Sequence, residues 1–296
     1  MMNTILQTMR PSFLVLTLAC VFLGLCTSLA TGISIDNKVF VLIFIGAMSA
    51  HISVNMLNEY HDFKSGLDFK TIKTPFSGGS GALPNNPKGA KLVLLLGLLT
   101  LFITVAIGIY FISTIGAEIL PIGLVGVVII VTYTQWLNRM PRLCLISPGM
   151  GFGLLMVVGT HIVLTLDYSL LVWLVSLIPF FLINNLLLLN QYPDMQADAS
   201  VGRKTFPLAF GIKRSNQVYG VFMLLTYSLI LLYVLTGILP TIGYIALIPM
   251  PLSIFAWSGA IKHKENIGKY PSHLGANVAT TIVTPLLLGL AILIGR

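Results

Sequence analysis

The sequence predicts an all-α, polytopic membrane protein, and three observations predict it. Of the 296 residues 56% are hydrophobic and 9% are charged, with a mean hydropathy of +0.94, whereas soluble domains carry about a quarter charged residues. Nine apolar runs approach the roughly 20 residues that a helix needs to cross the hydrocarbon layer. Almost all lysines and arginines fall on one side of those runs.

The runs cover 13–32, 39–57, 92–112, 119–136, 146–166, 170–189, 218–235, 242–261 and 275–294. The first follows Arg10 and ends in small residues, as a secretory leader does. It is nevertheless longer than the 7 to 15 apolar residues of a leader core, which makes it a span. The second ends on a polar stretch at Asn58 and the third begins after Lys88 and Lys91. The fourth closes on Tyr133 and Trp136, residue types that favour the membrane interface. Arg139 and Arg142 precede the fifth. The sixth ends at Asn190, and Lys213 and Arg214 stand just before the seventh. Lys262, Lys264 and Lys269 close the eighth, and the ninth completes the chain.

With a cytoplasmic N-terminus, alternate loops on that side hold 15 of the 17 basic residues and leave Lys38 and Arg296 outside. That asymmetry is the positive-inside pattern. It accounts for the net charge of +8 without a nucleic-acid partner. Cys20, Cys26 and Cys144 lie in or beside apolar runs with no CxxC spacing, so neither a disulfide framework nor a zinc site is expected.

Two polar stretches stand where apolar runs meet water. Asn58-Glu59-Tyr60-His61-Asp62 follows the second run and Asn190-Gln191-Tyr192-Pro193-Asp194 follows the sixth, and both begin Asn-x-Tyr-x-Asp. This recurrence divides the chain into two four-helix units, about 13–137 and 146–261, with the ninth helix added, all within one domain, 1–296. An even number of spans per unit brings both stretches to the same face. On a helix Asn58 shares a face with Asp62, and Asn190 with Asp194 and Asp198. Gly66 is expected to break the first helix and return Asp68 to the site. Pro193 is expected to kink the end of the sixth span.

Carboxylates gathered at one face need a cation. Oxygen ligands with amide partners suit Mg2+, which completes its shell with water and phosphate oxygens. A phosphorylated substrate on a hydrocarbon tail follows from the lipid surroundings. Lys70, Lys73, Arg203 and Lys204 stand near enough in sequence to neutralise outer phosphate oxygens. The loop 58–91 is long for a connection and contains Thr74-Pro75-Phe76-Ser77-Gly78-Gly79-Ser80-Gly81. Lacking the order of a Walker loop, it reads as a flexible turn. His61 is the one histidine inside a polar stretch; His51, His161, His263 and His273 are scattered and read as packing residues.

At these residues the chain resembles the UbiA superfamily of intramembrane prenyltransferases. Asn58, Asp62 and Asp68 match the first aspartate-rich motif of that family, with Glu59 in place of the usual Asp, and Asp194 and Asp198 match the second. "NEYHDFKSGLD" followed by "TPFSGGSGAL" is most similar to the branch that prenylates 1,4-dihydroxy-2-naphthoate in menaquinone biosynthesis. The glycine-glutamate segment of that branch is not evident at 147–153, and Leu137 stands where some members have Lys, with Arg139 and Arg142 the nearest bases.

The resemblance implies two Mg2+ ions, one at Asn58, Asp62 and Asp68 and one at Asp194 and Asp198. It also implies transfer of a polyprenyl group from its diphosphate to an aromatic acceptor. Asp62, Asp194 and Tyr133 would be catalytic. Asn58, Asn190, Lys70, Lys73, Tyr60, Tyr192, Arg139, Arg142, Arg203 and Lys204 would bind substrate. The resemblance implies a prokaryotic cytoplasmic membrane, with the site facing the cytoplasm. Other acceptors (hydroxybenzoate, haem or lipid precursors), an ion-coupled transporter and a non-catalytic prenyl-lipid-binding protein are the rival readings.

Overall fold

The computed structural model describes residues 1–295; Arg296, one of the two basic residues expected outside, lies beyond them. No strand occurs among the described residues. The chain forms α1 (Met2–Thr8), α2 (Pro11–Leu29), α3 (Asn37–Ser65), α4 (Ala82–Asn85), α5 (Ala90–Ile115), α6 (Leu120–Thr132) and α7 (Pro141–Pro148). A π-helical segment, Gly149–Met156, joins α7 to α8 (Val157–Thr165). Then follow α9 (Leu170–Asn190), α10 (Met195–Ser200), α11 (Phe206–Leu235), α12 (Met250–His263) and α13 (Pro271–Ile294).

Eight stretches are long and apolar enough to cross a bilayer among the described residues. The fourth expected run is the difference, because its apolar helix, Ala117–Thr132, is shorter than the others. At 1.5 Å per residue it falls short of the ~30 Å hydrocarbon layer. It ends because the chain turns at Tyr133–Trp136 and continues as a 3-10 turn, Leu137–Arg139. No side chain of α6 is buried.

α3 positions the first polar stretch. Asp36 caps its first turn by accepting from the Lys38 amide at 2.8 Å. Its 29 residues then reach well past the hydrocarbon layer, so that Asn58 and Asp62 stand on its last two turns. Gly66, with φ of 78°, ends it as expected and turns Asp68 back towards the site. Pro193 does something other than expected. α9 has already ended at Asn190, and Pro193 lies in the turn leading to α10 rather than kinking the span.

α2, α8, α9, α11 and α13 enclose the main core, which includes the fully buried Leu23, Ile178, Ile183, Ile230 and Leu288. Three polar side chains inside it link neighbouring helices by hydrogen bonds. Asn185 donates to the Tyr219 carbonyl at 3.0 Å, Tyr219 donates to Asn277 at 2.8 Å, and Asn277 donates to the Asn185 carbonyl at 3.2 Å. These three bonds pin α9, α11 and α13 together. The π segment packs against α9 so closely that a Cβ on Gly153 would lie 2.4 Å from the Phe180 nitrogen. Cys20, Cys26 and Cys144 are free and buried.

Candidate active site

The ends of α3 and α9 converge at the mouth of a cavity of about 270 Å3. Its deeper wall is apolar, with Leu16, Val54, Ile129, Phe152, Met156 and Leu187. Its mouth is lined by Asp62, Asp68, Asp194 and Asp198 together with Asn58, Asn190 and Arg203. A polar head at the mouth with an apolar chain below it is the ligand shape that this division of the wall accepts.

Neighbouring side chains fix the first frame. Asn58 donates to Asp62 at 2.7 Å and accepts from Thr134 at 3.2 Å. Arg203 joins the two frames, donating to Asp198 at 3.1 Å and also to Asp62. The glycine-containing loop is no free turn. The Gly78 amide donates to Asp194 at 3.2 Å, and Ser80 donates to Glu59 through its amide at 2.8 Å and its hydroxyl at 2.5 Å.

Burial pushes the carboxyls of Asp68 and Asp194 up to about 7. Repulsion from Glu59 and Asp62 adds to the shift at Asp68, and repulsion from Asp198 adds to it at Asp194. Burial also raises Asp198, against the pull of Arg203. Loss of hydration would lower Arg203, but Asp62 and Asp198 reverse its direction and hold it above its ordinary value. Asp62 and Asp198 thus share the Arg203 guanidinium, whereas Asp68 and Asp194 form no ion pair with the described residues.

The donor set fits a hard cation. Asp68 Oδ2, Asp194 Oδ1, Asn190 Oδ1, Gln191 Oε1 and Asn138 Oδ1 are buried acceptors without a donor, and all five residues line the cavity. Such orphaned oxygens are the ligands that Mg2+ prefers. No three His, Cys, Asp or Glu side chains among the described residues already surround one point. The guanidinium of Arg203 spans Asp62 and Asp198 instead.

The remaining expected site residues divide by position. Tyr133 lines the cavity, and burial, followed by the neighbouring Cys144, pushes its phenol well up, leaving a neutral ring. Tyr60 and Tyr192 do not line it. Tyr60 packs with Met56 and Leu83 and lies beneath the Lys64 ammonium, whereas Tyr192 is fully buried and donates to Asn216 at 2.8 Å. His61 lies against Gln135, 2.9 Å away, outside the cavity. Lys70, Lys73, Arg139, Arg142 and Lys204 are exposed and do not line the cavity. Among them Lys73 donates to the Ser80 carbonyl and Arg142 lies over Phe210.

Arg10, Gly78, Gly79, Asn138 and Gln191 also line the cavity and escaped the sequence reading. Arg10 is one of three non-glycine residues with a positive φ, and its sequence context, a basic residue before an apolar run, reports only membrane topology. Gln191 stands inside the second polar frame at the end of α9, and Gly78, Gly79 and Asn138 lie in connections whose approach to the site has no periodicity to reveal it.

The described residues form an all-helical membrane bundle that gathers two acidic frames beside an apolar cavity wall. The profile of the UbiA prenyltransferase family matches residues 17–272. The chain belongs to that family and is a prenyltransferase.

Among its relatives, a 1,4-dihydroxy-2-naphthoate octaprenyltransferase of Bacillus subtilis (strain 168) is 25% identical over 292 residues, covering 98% of this chain and 90% of the relative. A digeranylgeranylglyceryl phosphate synthase of Methanobrevibacter smithii is 24% identical, with 90% and 89% covered. The fold is similar to that of a UbiA homolog from Archaeoglobus fulgidus bound to DMAPP and Mg2+. That likeness has a TM-score of 0.67 at 14% identity, covering 99% of this chain and 100% of the other. A UbiA homolog from Aeropyrum pernix K1 in its apo form gives a TM-score of 0.68 at 16% identity, with 96% and 98% covered.

Proposed function

We propose that this prenyltransferase moves a polyprenyl group from a polyprenyl diphosphate to 1,4-dihydroxy-2-naphthoate, releasing diphosphate, at a site open to the cytoplasmic side of a prokaryotic membrane. The observation that carries the reading is the meeting of the two carboxylate frames, from α3 and beyond α9, at the mouth of an apolar cavity. Two Mg2+ ions are assigned, one to Asn58, Asp62 and Asp68 and one to Asp194 and Asp198. Bound there, Mg2+ neutralises charge on the departing diphosphate as a Lewis acid.

The chain's own residues do the rest. Asp62 and Asp194 would hold the cations and so set where the diphosphate end of the substrate lies. Asn190 is assigned to the same end of the substrate. Arg203, released from Asp62 and Asp198, meets outer phosphate oxygens in bidentate fashion, and the exposed Lys204, Lys70 and Lys73 attract the anion from water. The allylic carbon–oxygen bond breaks with its electron pair leaving on diphosphate. An acceptor ring carbon then attacks the allylic cation, and the ring regains aromaticity by losing the group which that carbon carried. Tyr133 presents its neutral ring near the reacting carbon, an interaction worth about 2 kcal/mol when desolvated. Phe152, Val54 and Leu187 keep out the water that would quench the cation.

The acceptor is argued from the Bacillus relative and from a second one, a 1,4-dihydroxy-2-naphthoate octaprenyltransferase of Haemophilus influenzae at 25% identity over 83% of the chain. The Methanobrevibacter relative supports a second reading, a glycerol-phosphate-type lipid acceptor. Supplying purified protein with labelled polyprenyl diphosphate, Mg2+ and each acceptor in turn separates the two. Prenylated naphthoate supports the first reading, and transfer to the lipid acceptor alone overturns it.

A further inference from the structure

Glu59 stands where the family's first motif usually has Asp, yet it does not line the cavity. It is fully buried, and its two carboxylate oxygens are already engaged. Oε1 accepts from Arg10 Nη2 at 2.6 Å, from Arg10 Nε at 2.8 Å and from the Ser80 amide at 2.8 Å. Oε2 accepts from the Ser80 hydroxyl at 2.5 Å. A carboxylate with its lone pairs so occupied has little left to offer a cation.

What those bonds hold is one wall of the site. Ser80 lies in the loop whose Gly78 amide reaches Asp194, so Glu59 anchors one side of a bridge between the two frames. The loop is clamped tightly: a Cβ on Gly79 would lie 3.0 Å from Asp68 Oδ1 and 3.6 Å from Glu59 Oε1. Arg10, with a left-handed φ of 52°, keeps a conformation unfavourable for a side-chain-bearing residue, and its ion pair with Glu59 offsets that cost. The same pair aims the Arg10 guanidinium at the cavity mouth.

We infer that Glu59 is a positioning residue and not a cation ligand: with Arg10 and Ser80 it holds the 74–81 loop closed against Asp68 and Asp194, and so shapes the place where the diphosphate sits. The inference rests on the proposed prenyl-diphosphate reading for its substrate but not for its geometry. The length of Glu is part of the device, since Asp is one methylene shorter and would leave the loop bonds or the Arg10 pair unmade.

Hydrogen exchange and steady-state kinetics on the purified full chain test it with Glu59→Gln and Ser80→Ala. Ser80→Ala removes only the hydroxyl bond and spares the buried ion pair, so it keeps the test open if Glu59→Gln folds poorly. Both variants are expected to exchange amides at 72–82 about tenfold faster, with exchange in the spans unchanged. The KM for prenyl diphosphate is expected to rise about tenfold in Glu59→Gln, with kcat within about threefold and Mg2+ half-saturation within about twofold of wild type. Unchanged exchange at 72–82, together with a Mg2+ half-saturation raised about tenfold or more, would make Glu59 a ligand and overturn the inference. The exchange readout needs no turnover, so an error in substrate assignment leaves it intact.

Discussion

Asp194 has two oxygens in different company: one accepts the Gly78 amide, and the other is buried without a donor. Asp194→Asn keeps the shape and removes the charge, so kcat is expected to fall about a thousandfold while the protein remains folded in membranes; turnover assays with a thermal-unfolding control check this. The raised carboxyls of Asp68 and Asp194 also make stability depend on pH. Each is near 7 in the folded protein, against an ordinary 3.8, so the folded state binds protons that the unfolded state has already lost. Their contribution is greatest below about pH 4 and is lost as pH rises through about 7. In chelator, the thermal midpoint is expected to be higher at pH 5.5 than at 7.5, and added Mg2+ should raise it more at pH 7.5. An equal Mg2+ response at both values would contradict this. Asn58, Asp62, Asp68, Asp194 and Asp198 could be singled out because polar residues recur in one frame beside two apolar runs, and all five line the cavity. Arg10 could not, since its sequence context reports only membrane topology.

Elements were legible where length and hydrophobicity alone determine them. Eight spans follow from their apolar runs, and Gly66 ends α3 where its backbone freedom allows. The fourth run forms an apolar helix shorter than the sequence reading gave it, because hydropathy does not register where a helix unwinds, here at Tyr133. The loop at 74–81 read as flexible because its ordering partners, Glu59 and Asp194, are distant in sequence. Gly79→Ala places a side chain at φ of 71° against Asp68. It is expected to lower kcat/KM at least about tenfold with little change in thermal midpoint. Gly153→Val drives a branched side chain into the Phe180 backbone. It should destabilise the bundle by about 1–3 kcal/mol, seen as a lower unfolding midpoint in detergent.

At the scale of the molecule, the bundle exists to bring the end of α3 and the turn beyond α9 to one cavity mouth. The polar bonds joining α9, α11 and α13 hold the second frame's span in register. α3 and α5 hold the first, where Ser53 donates to the Gly97 carbonyl at 2.9 Å. The repeated Asn-x-Tyr-x-Asp made this convergence readable in outline, although sequence could not reveal that Arg203 stands between the frames. The central claim is that the two frames act together on a prenyl diphosphate, and diphosphate release by purified protein measures it most directly. With labelled polyprenyl diphosphate and an aromatic acceptor, release is expected to require Mg2+ and to be lost equally in Asp62→Asn, in Asp194→Asn and in the double variant. Release that persists without divalent cations, or in both single variants, would contradict the account.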